Sequence, residues 1–176
     1  SGYPVFTRKC NTDVSYLACA QRLATLKDVI YPQFATHNAH TAAYIAELFG
    51  ASGHFEFQRL HGMGEALYDA AREQFGSVTV RAYAPVGGHK DLLPYLVRRL
   101  LENGANSSFV NKAFDPDVPA SSLARDPVET VFAHKGQSHP SIRLPARIFP
   151  DRLNSRGMDL DDLATRKMLG QKMEAA

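Results

Sequence analysis

Tyr83-Ala84-Pro85-Val86-Gly87-Gly88-His89, followed by a leucine-rich run that closes on Asn103-Gly104-Ala105-Asn106, reads as strand, turn, helix and stop. Val78, Val80 and Ala82 alternate with polar residues, the period of a strand. Pro85, Gly87 and Gly88 break that strand into a loop. Leu92, Leu93, Leu96, Val97, Leu100 and Leu101 then recur at helical spacing and are expected to bury one face. Pro94 is expected in the first turn, where a missing N–H costs nothing. Asn103-Gly104 ends the helix, with Gly104 expected as a left-handed cap.

The same unit repeats towards the N-terminus. Pro4–Thr7 is expected as a first strand, followed by a helix from a Thr12-Asp13 cap through Val14, Leu17, Ala20 and Leu23. Val29–Ala35 is nearly all apolar, as a strand covered on both faces should be. A helix through Ala42, Ile45 and Phe49 stops at Gly50. Phe55–Leu60 is a third strand, and Ala66–Gln74 a third helix. The order β-α-β-α-β-α-β-α implies a parallel sheet with crossover helices. It does not separate a barrel from a doubly wound sheet, although the absence of G-x-G-x-x-G after the first strand leans towards the barrel.

Polar residues gather at the carboxyl ends of these strands, where parallel sheets place function. Thr7, Arg8 and Lys9 follow the first, Thr36, His37 and Asn38 the second, His61 the third, and Tyr83 ends the fourth. The final helix adds Arg98 and Arg99. Adjacent helix positions point about 100° apart, so one surface ion pair cannot absorb both arginines. Glu102 lies within reach of either. One reading is a solvated helix face with a weak ion pair. The other is a guanidinium fork for a small carboxylate or a phosphate. His37 and His61 show no third metal ligand at a convincing spacing.

Composition sets the class. The chain has 176 residues, 44% hydrophobic and 22% charged, with a net charge of +2. That is a soluble globular composition with one ordinary core, and too little charge to argue for nucleic acid or a membrane surface. No signal peptide is visible at Ser1-Gly2-Tyr3, and the missing initiator Met suggests an excerpted chain. Cys10 and Cys19 fit no zinc spacing, and Cys19 is expected as a small buried residue. A reduced, cytoplasmic setting follows as the default. Beyond Asn106 the regularity fades. Ser108–Asn111 is expected to be extended, a short helix to start near Asp126-Pro127, and Gln137–Asn154 to be a proline-rich linker. Met158–Met173 has helical composition, but a tail this polar is expected to be poorly ordered.

Several of these stretches resemble the proline dehydrogenase domain of bacterial proline utilization A. They are Gly2-Tyr3-Pro4-Val5-Phe6-Thr7-Arg8-Lys9, Tyr31-Pro32-Gln33-Phe34-Ala35-Thr36-His37-Asn38, Leu60-His61-Gly62-Met63-Gly64, Tyr83-Ala84-Pro85-Val86-Gly87, and Tyr95 through Asn106. The resemblance implies a parallel (βα)8 TIM-type barrel, with this chain supplying about strands 5–8 and the last helix. Residues 1–115 would form the C-terminal half of the barrel. Residues 116–176 would form a linker and the start of a following aldehyde dehydrogenase region, which Arg152–Leu160 resembles.

The resemblance also implies chemistry. The family oxidises L-proline to 1-pyrroline-5-carboxylate with FAD and passes electrons to a membrane quinone, within a bifunctional enzyme that continues to glutamate. NAD would serve only the absent aldehyde dehydrogenase domain. By the same resemblance Tyr83 packs on the proline ring, Arg98 and Arg99 pair with its carboxylate, and Leu60 shapes the pocket. Thr7, Lys9, Thr36, His37, Asn38 and Glu102 would lie along FAD. The parent would be cytoplasmic and peripherally associated with the inner membrane, and would bind DNA only if it carries an N-terminal DNA-binding region. Departures matter here. The family's substrate-site lysine and aspartate belong to a first half-barrel that this chain lacks, and Gly88 stands where Thr or Ser is more usual. The chain alone is therefore expected not to turn over proline. The alternative is an inert, self-associating half-barrel that binds no flavin, its open sheet edges closed by another copy.

Overall fold

The computed structural model describes residues 2–50, 53–105, 109–113, 115–155 and 157–175. In chain order its elements are α1 (Lys9–Ala24), β1 (Gln33–Ala35), α2 (Ala39–Phe49), β2 (Glu56–Leu60), α3 (Glu65–Phe75), β3 (Val80–Tyr83), α4 (His89–Asn103), α5 (Phe109–Ala113), α6 (Ala120–Leu123), α7 (Pro127–Ala133) and α8 (Leu163–Glu174). They fall into two compact units, Arg8–Gln137 and, separately, residues 1–7 with 138–176.

In the larger unit the strands form one parallel sheet in the order β1-β2-β3. Register pairs Phe34 with Phe57 and Phe57 with Val80, and on the opposite face Gln33 with Glu56, Gln58 with Arg81, and Leu60 with Tyr83. Strand alternation thus separates an apolar face from a mixed one. The apolar face is the core: Phe34 and Phe57 pack with Ala20, Ala42, Ile45, Phe49, Phe55, Tyr68 and Ala71. Ring centroids in this cluster lie 4.9–6.1 Å apart, mostly edge-on. On the mixed face Gln33, Ala35, Arg81 and Tyr83 are exposed. The alternation, the parallel pairing and the crossover helices are those of a mixed α/β fold, consistent with a segment of a TIM-type barrel.

Local chemistry sets the helix ends near the sheet. Asn38 caps α2 by accepting from His40 N at 3.0 Å and Thr41 N at 3.3 Å, and Gly50 at φ +59° ends it. Gly64 at φ +72° opens α3, and a Cβ there would stand 2.9 Å from His37 Cδ2, so only glycine fits without a shift.

Several expectations are corrected. Pro4–Thr7 is not a strand but a bent segment, so the described sheet has three strands. The second expected strand is shortened to Gln33–Ala35. Leu26 O accepts from both Val29 N and Ile30 N, which turns the chain before Pro32. Helix α1 starts earlier, with Arg8 rather than Thr12 or Asp13 at its cap. Pro94 is the sixth residue of α4, not in its first turn, and Gly104 is right-handed at φ −78°. None of the leucines of α4 is buried within this chain. Leu100 and Leu101 are 72% and 71% exposed, because nothing described here covers that face. Cys19 is exposed, lying off the stripe of Leu17 and Ala20 that α1 buries. Phe109–Ala113 is helical rather than extended, and Asn106 and Ser108 lie outside the described residues.

The helix expected near Asp126 is present: Pro127 is its first residue and Asp126 accepts from Val128 N at 2.8 Å. In the smaller unit Tyr3 Oη donates to Ile142 O at 2.6 Å, and His139 N donates to Thr7 Oγ1 at 2.8 Å. The polar tail there does form a helix, α8, capped by Asp162, which accepts from Ala164 N and Thr165 N.

Candidate active site

The three strands end at Ala35, Leu60 and Tyr83, and His61 N donates to Tyr83 O at 2.8 Å just past the last pair. A cavity of about 560 Å³ opens over these carboxyl ends. Lys9, Thr36, His37, Asn38, Leu60, Tyr83, Arg99 and Glu102 all line it. Residues scattered over some ninety positions converge because βα units start every loop at the same end of the sheet. Three of the expected residues, Thr7, Arg98 and His61, are not brought there. Thr7 belongs to the smaller unit, where its hydroxyl accepts from His139 N. Arg98 is exposed on α4 and makes no hydrogen bond or ion pair among the described residues. His61 is exposed and does not line the cavity.

Arg99 is the best-placed cation. Its Nη1 lies 2.7 Å from Glu102 Oε2, and its guanidinium sits 5.5 Å from the Tyr95 ring centre. Its Nε is buried and has no partner among the described residues. His37 Nε2 is in the same state. Both residues line the cavity, and a buried polar nitrogen without a partner is costly; Arg99 Nε can only donate, so an acceptor would satisfy it. Tyr83 keeps its hydroxyl protonated well above neutrality, first because burial raises its pKa and second because Tyr95 adjoins it.

Residues beyond the expected set hold this geometry. Tyr16 Oη donates to Ala35 O at 3.2 Å and Tyr68 Oη to Thr36 O at 2.6 Å, tying down the end of β1. Arg59 Nη1 donates to Met63 O at 3.2 Å and Arg59 pairs with Glu65 at 3.3 Å, fixing the loop that carries Gly64. Gln58 lines the cavity from β2. Its signal in the sequence is its place two residues before Leu60, on the same face.

Burial lowers the pKa of His37; the Glu102 carboxylate opposes this and Arg59 adds to it. A folded-state pKa below the unfolded value of about 6.5 means that the unfolded chain binds the proton first. His37 therefore contributes a loss of stability as pH falls below about 6.5, and the loss levels off below the folded pKa. The slope is at most about 1.4 kcal/mol per pH unit. Thermal unfolding of the wild type and His37→Asn at pH 7.5 and 5.5 should show a smaller acid-induced drop in the variant. Equal drops in both would refute the assignment.

Comparison with known proteins gives the family. The proline dehydrogenase family model matches residues 1–112. The chain belongs to the proline dehydrogenase family. It is 53% identical over 173 residues to bifunctional protein PutA of Salmonella typhimurium, covering 90% of this chain and 13% of that protein. It is 51% identical over 178 residues to PutA of Rhizobium meliloti, covering 93% of this chain and 14% of the relative. A crystal structure of Bradyrhizobium japonicum proline utilization A superposes with a TM-score of 0.87 at 50% identity, over 98% of this chain and 18% of that one. The Bdellovibrio bacteriovorus protein, in a structure inactivated by N-propargylglycine, gives 0.72 at 30% identity, over 98% of this chain and 17% of that one. The chain thus spans about an eighth to a seventh of the curated PutA relatives. Among the described residues no helix is long and apolar enough to cross a membrane, and no three His, Cys, Asp or Glu side chains gather as metal ligands.

Proposed function

We propose that this chain supplies strands 5–8 and the last helix of a proline dehydrogenase barrel that oxidises L-proline to 1-pyrroline-5-carboxylate with FAD. Residues 1–115 form the half-barrel. Residues 116–176 lead into an aldehyde dehydrogenase region that uses NAD to reach glutamate. The observation that carries this reading is the pair of buried, unpaired nitrogens, Arg99 Nε and His37 Nε2, on one cavity above the strand ends. Arg99 Nε, which can only donate, fits an anionic, oxygen-rich occupant, and Gly64 lets the loop backbone approach His37 closely. When bound, FAD supplies the two-electron acceptor for the substrate's hydride.

In this reading Arg99 and Arg98 hold the proline carboxylate, Tyr83 lies against the ring, and Leu60 closes the apolar side of the pocket. Lys9, Thr36, His37, Asn38 and Glu102 line the flavin. These residues bind and orient, which is what a hydride transfer chiefly requires. The remaining strands carry the lysine and aspartate of the substrate site and come from outside these 176 residues. Electrons leave to a membrane quinone, and the parent works in the cytoplasm at the inner membrane. A DNA-binding role applies only to a parent with that N-terminal region.

Visible absorption tests this directly. The chain completed with the missing strands should show a flavin band that bleaches on adding proline, and a completed barrel with no flavin band would overturn the reading. A second reading, an inert half-barrel that self-associates, is favoured by the uncovered leucines of α4. It expects the chain alone to sediment as a dimer or larger without flavin.

A further inference from the structure

On the mixed face of the sheet, one residue pair below the cavity, Glu56 is fully buried beneath three donors. Arg81 grips it with Nε at 2.8 Å from Oε1 and Nη2 at 2.7 Å from Oε2. Gln33 Nε2 donates to Oε1 at 2.9 Å and Gln58 Nε2 at 3.1 Å. The bonds from Arg81, and then those from the amides, hold the Glu56 carboxyl at a pKa of about 2. It is a carboxylate at any working pH and can only accept. An amide facing it must therefore turn its NH2 group inward. For Gln58 that leaves Oε1 directed away from Glu56, on a side chain that lines the cavity. That oxygen accepts no hydrogen bond among the described residues.

We propose that Gln58 is a ligand-binding residue whose carbonyl oxygen accepts from an N–H group of the cavity's occupant, and that Glu56 is the positioning residue that fixes the amide this way round. A strand glutamine left to itself can present either end. With Glu56 beneath it, the site offers an acceptor only. The inference rests on the flavin-and-proline reading above, and both molecules carry an N–H: the ring amine of proline and the imide of the flavin.

The test uses the full-length parent carrying Gln58→Leu, Gln58→Met and Glu56→Gln, with two probes. Proline has the N–H, and cyclopentanecarboxylate keeps the carboxylate without it. If the donor is proline, the Gln58 variants raise KM for proline about 3- to 15-fold while the inhibition constant of cyclopentanecarboxylate stays put. If the donor is the flavin, reconstitution of the apoprotein shows flavin affinity weakened by the same factor, and neither acid is singled out. Either result supports the proposal, provided that Glu56→Gln moves the same quantity in the same direction. Folded Gln58 variants that match wild type in both measurements would overturn it. A Glu56→Gln protein that only loses thermal stability overturns the positioning role. A wild-type parent with no flavin and no affinity for either acid refutes the preceding reading instead.

Discussion

Arg99→Met in the full-length parent is expected to raise KM for proline by about 10- to 150-fold while changing flavin content far less. The range follows from losing a charge-assisted hydrogen bond, worth about 1.5–3 kcal/mol, with tenfold per 1.4 kcal/mol. The structure points to Arg99 because its donors are divided: Nη1 is spent on Glu102, and Nε is buried without a partner among the described residues. Methionine keeps the apolar stem and removes every donor. Arg98→Met should move KM in the same direction if the second guanidinium closes on the carboxylate once the barrel is complete. Steady-state kinetics beside the flavin absorbance ratio separate the two effects. Unchanged KM in both variants would remove the carboxylate clamp.

How much of this site was legible in the sequence depends on distance along the chain. Thr36, His37, Asn38, Leu60 and Tyr83 line the cavity, and each sits at or just after a strand end, a local signal that period and turn residues mark well. Arg99 and Arg98 could not be told apart locally. In the structure Arg99 takes Glu102 at i+3 and lies near Tyr95 at i−4 on the same helix, while Arg98 is exposed. Tyr16 and Tyr68 passed unnoticed because a single polar group inside a helix carries no pattern, and Gln58 because its only signal was sharing a strand face with Leu60. What they do depends on a carbonyl or a carboxylate on another element.

The misread elements share a cause. Pro4–Thr7 has strand composition, yet the described partner of Thr7 is His139, 132 positions away, and no described strand pairs with the segment. A strand exists only where a ladder neighbour is available, and no local pattern reveals that. The apolar stripe of α4 was read correctly as a stripe. Its burial was not, because the surface that would cover it is not among the described residues.

Phe57→Ala is expected to cost about 3–5 kcal/mol of folding stability, the range for emptying a buried aromatic position. Phe57 is fully buried at the centre of the sheet's apolar face, with ring contacts to Phe55 at 5.2 Å and Tyr68 at 5.3 Å. A domain of this size has only about 5–15 kcal/mol in hand, so the loss is a large share of the total. Denaturant titration of the purified chain measures it, with Phe57→Leu as the control. Leucine fills much of the hole and should cost less than half as much. The damage should also reach the cavity. Tyr68 packs on Phe57 through its ring and holds Thr36 O through its hydroxyl, so a loosened ring frees the end of β1 beside His37. A cost below about 1 kcal/mol would mean that the aromatic cluster is not the core that holds the strands in register.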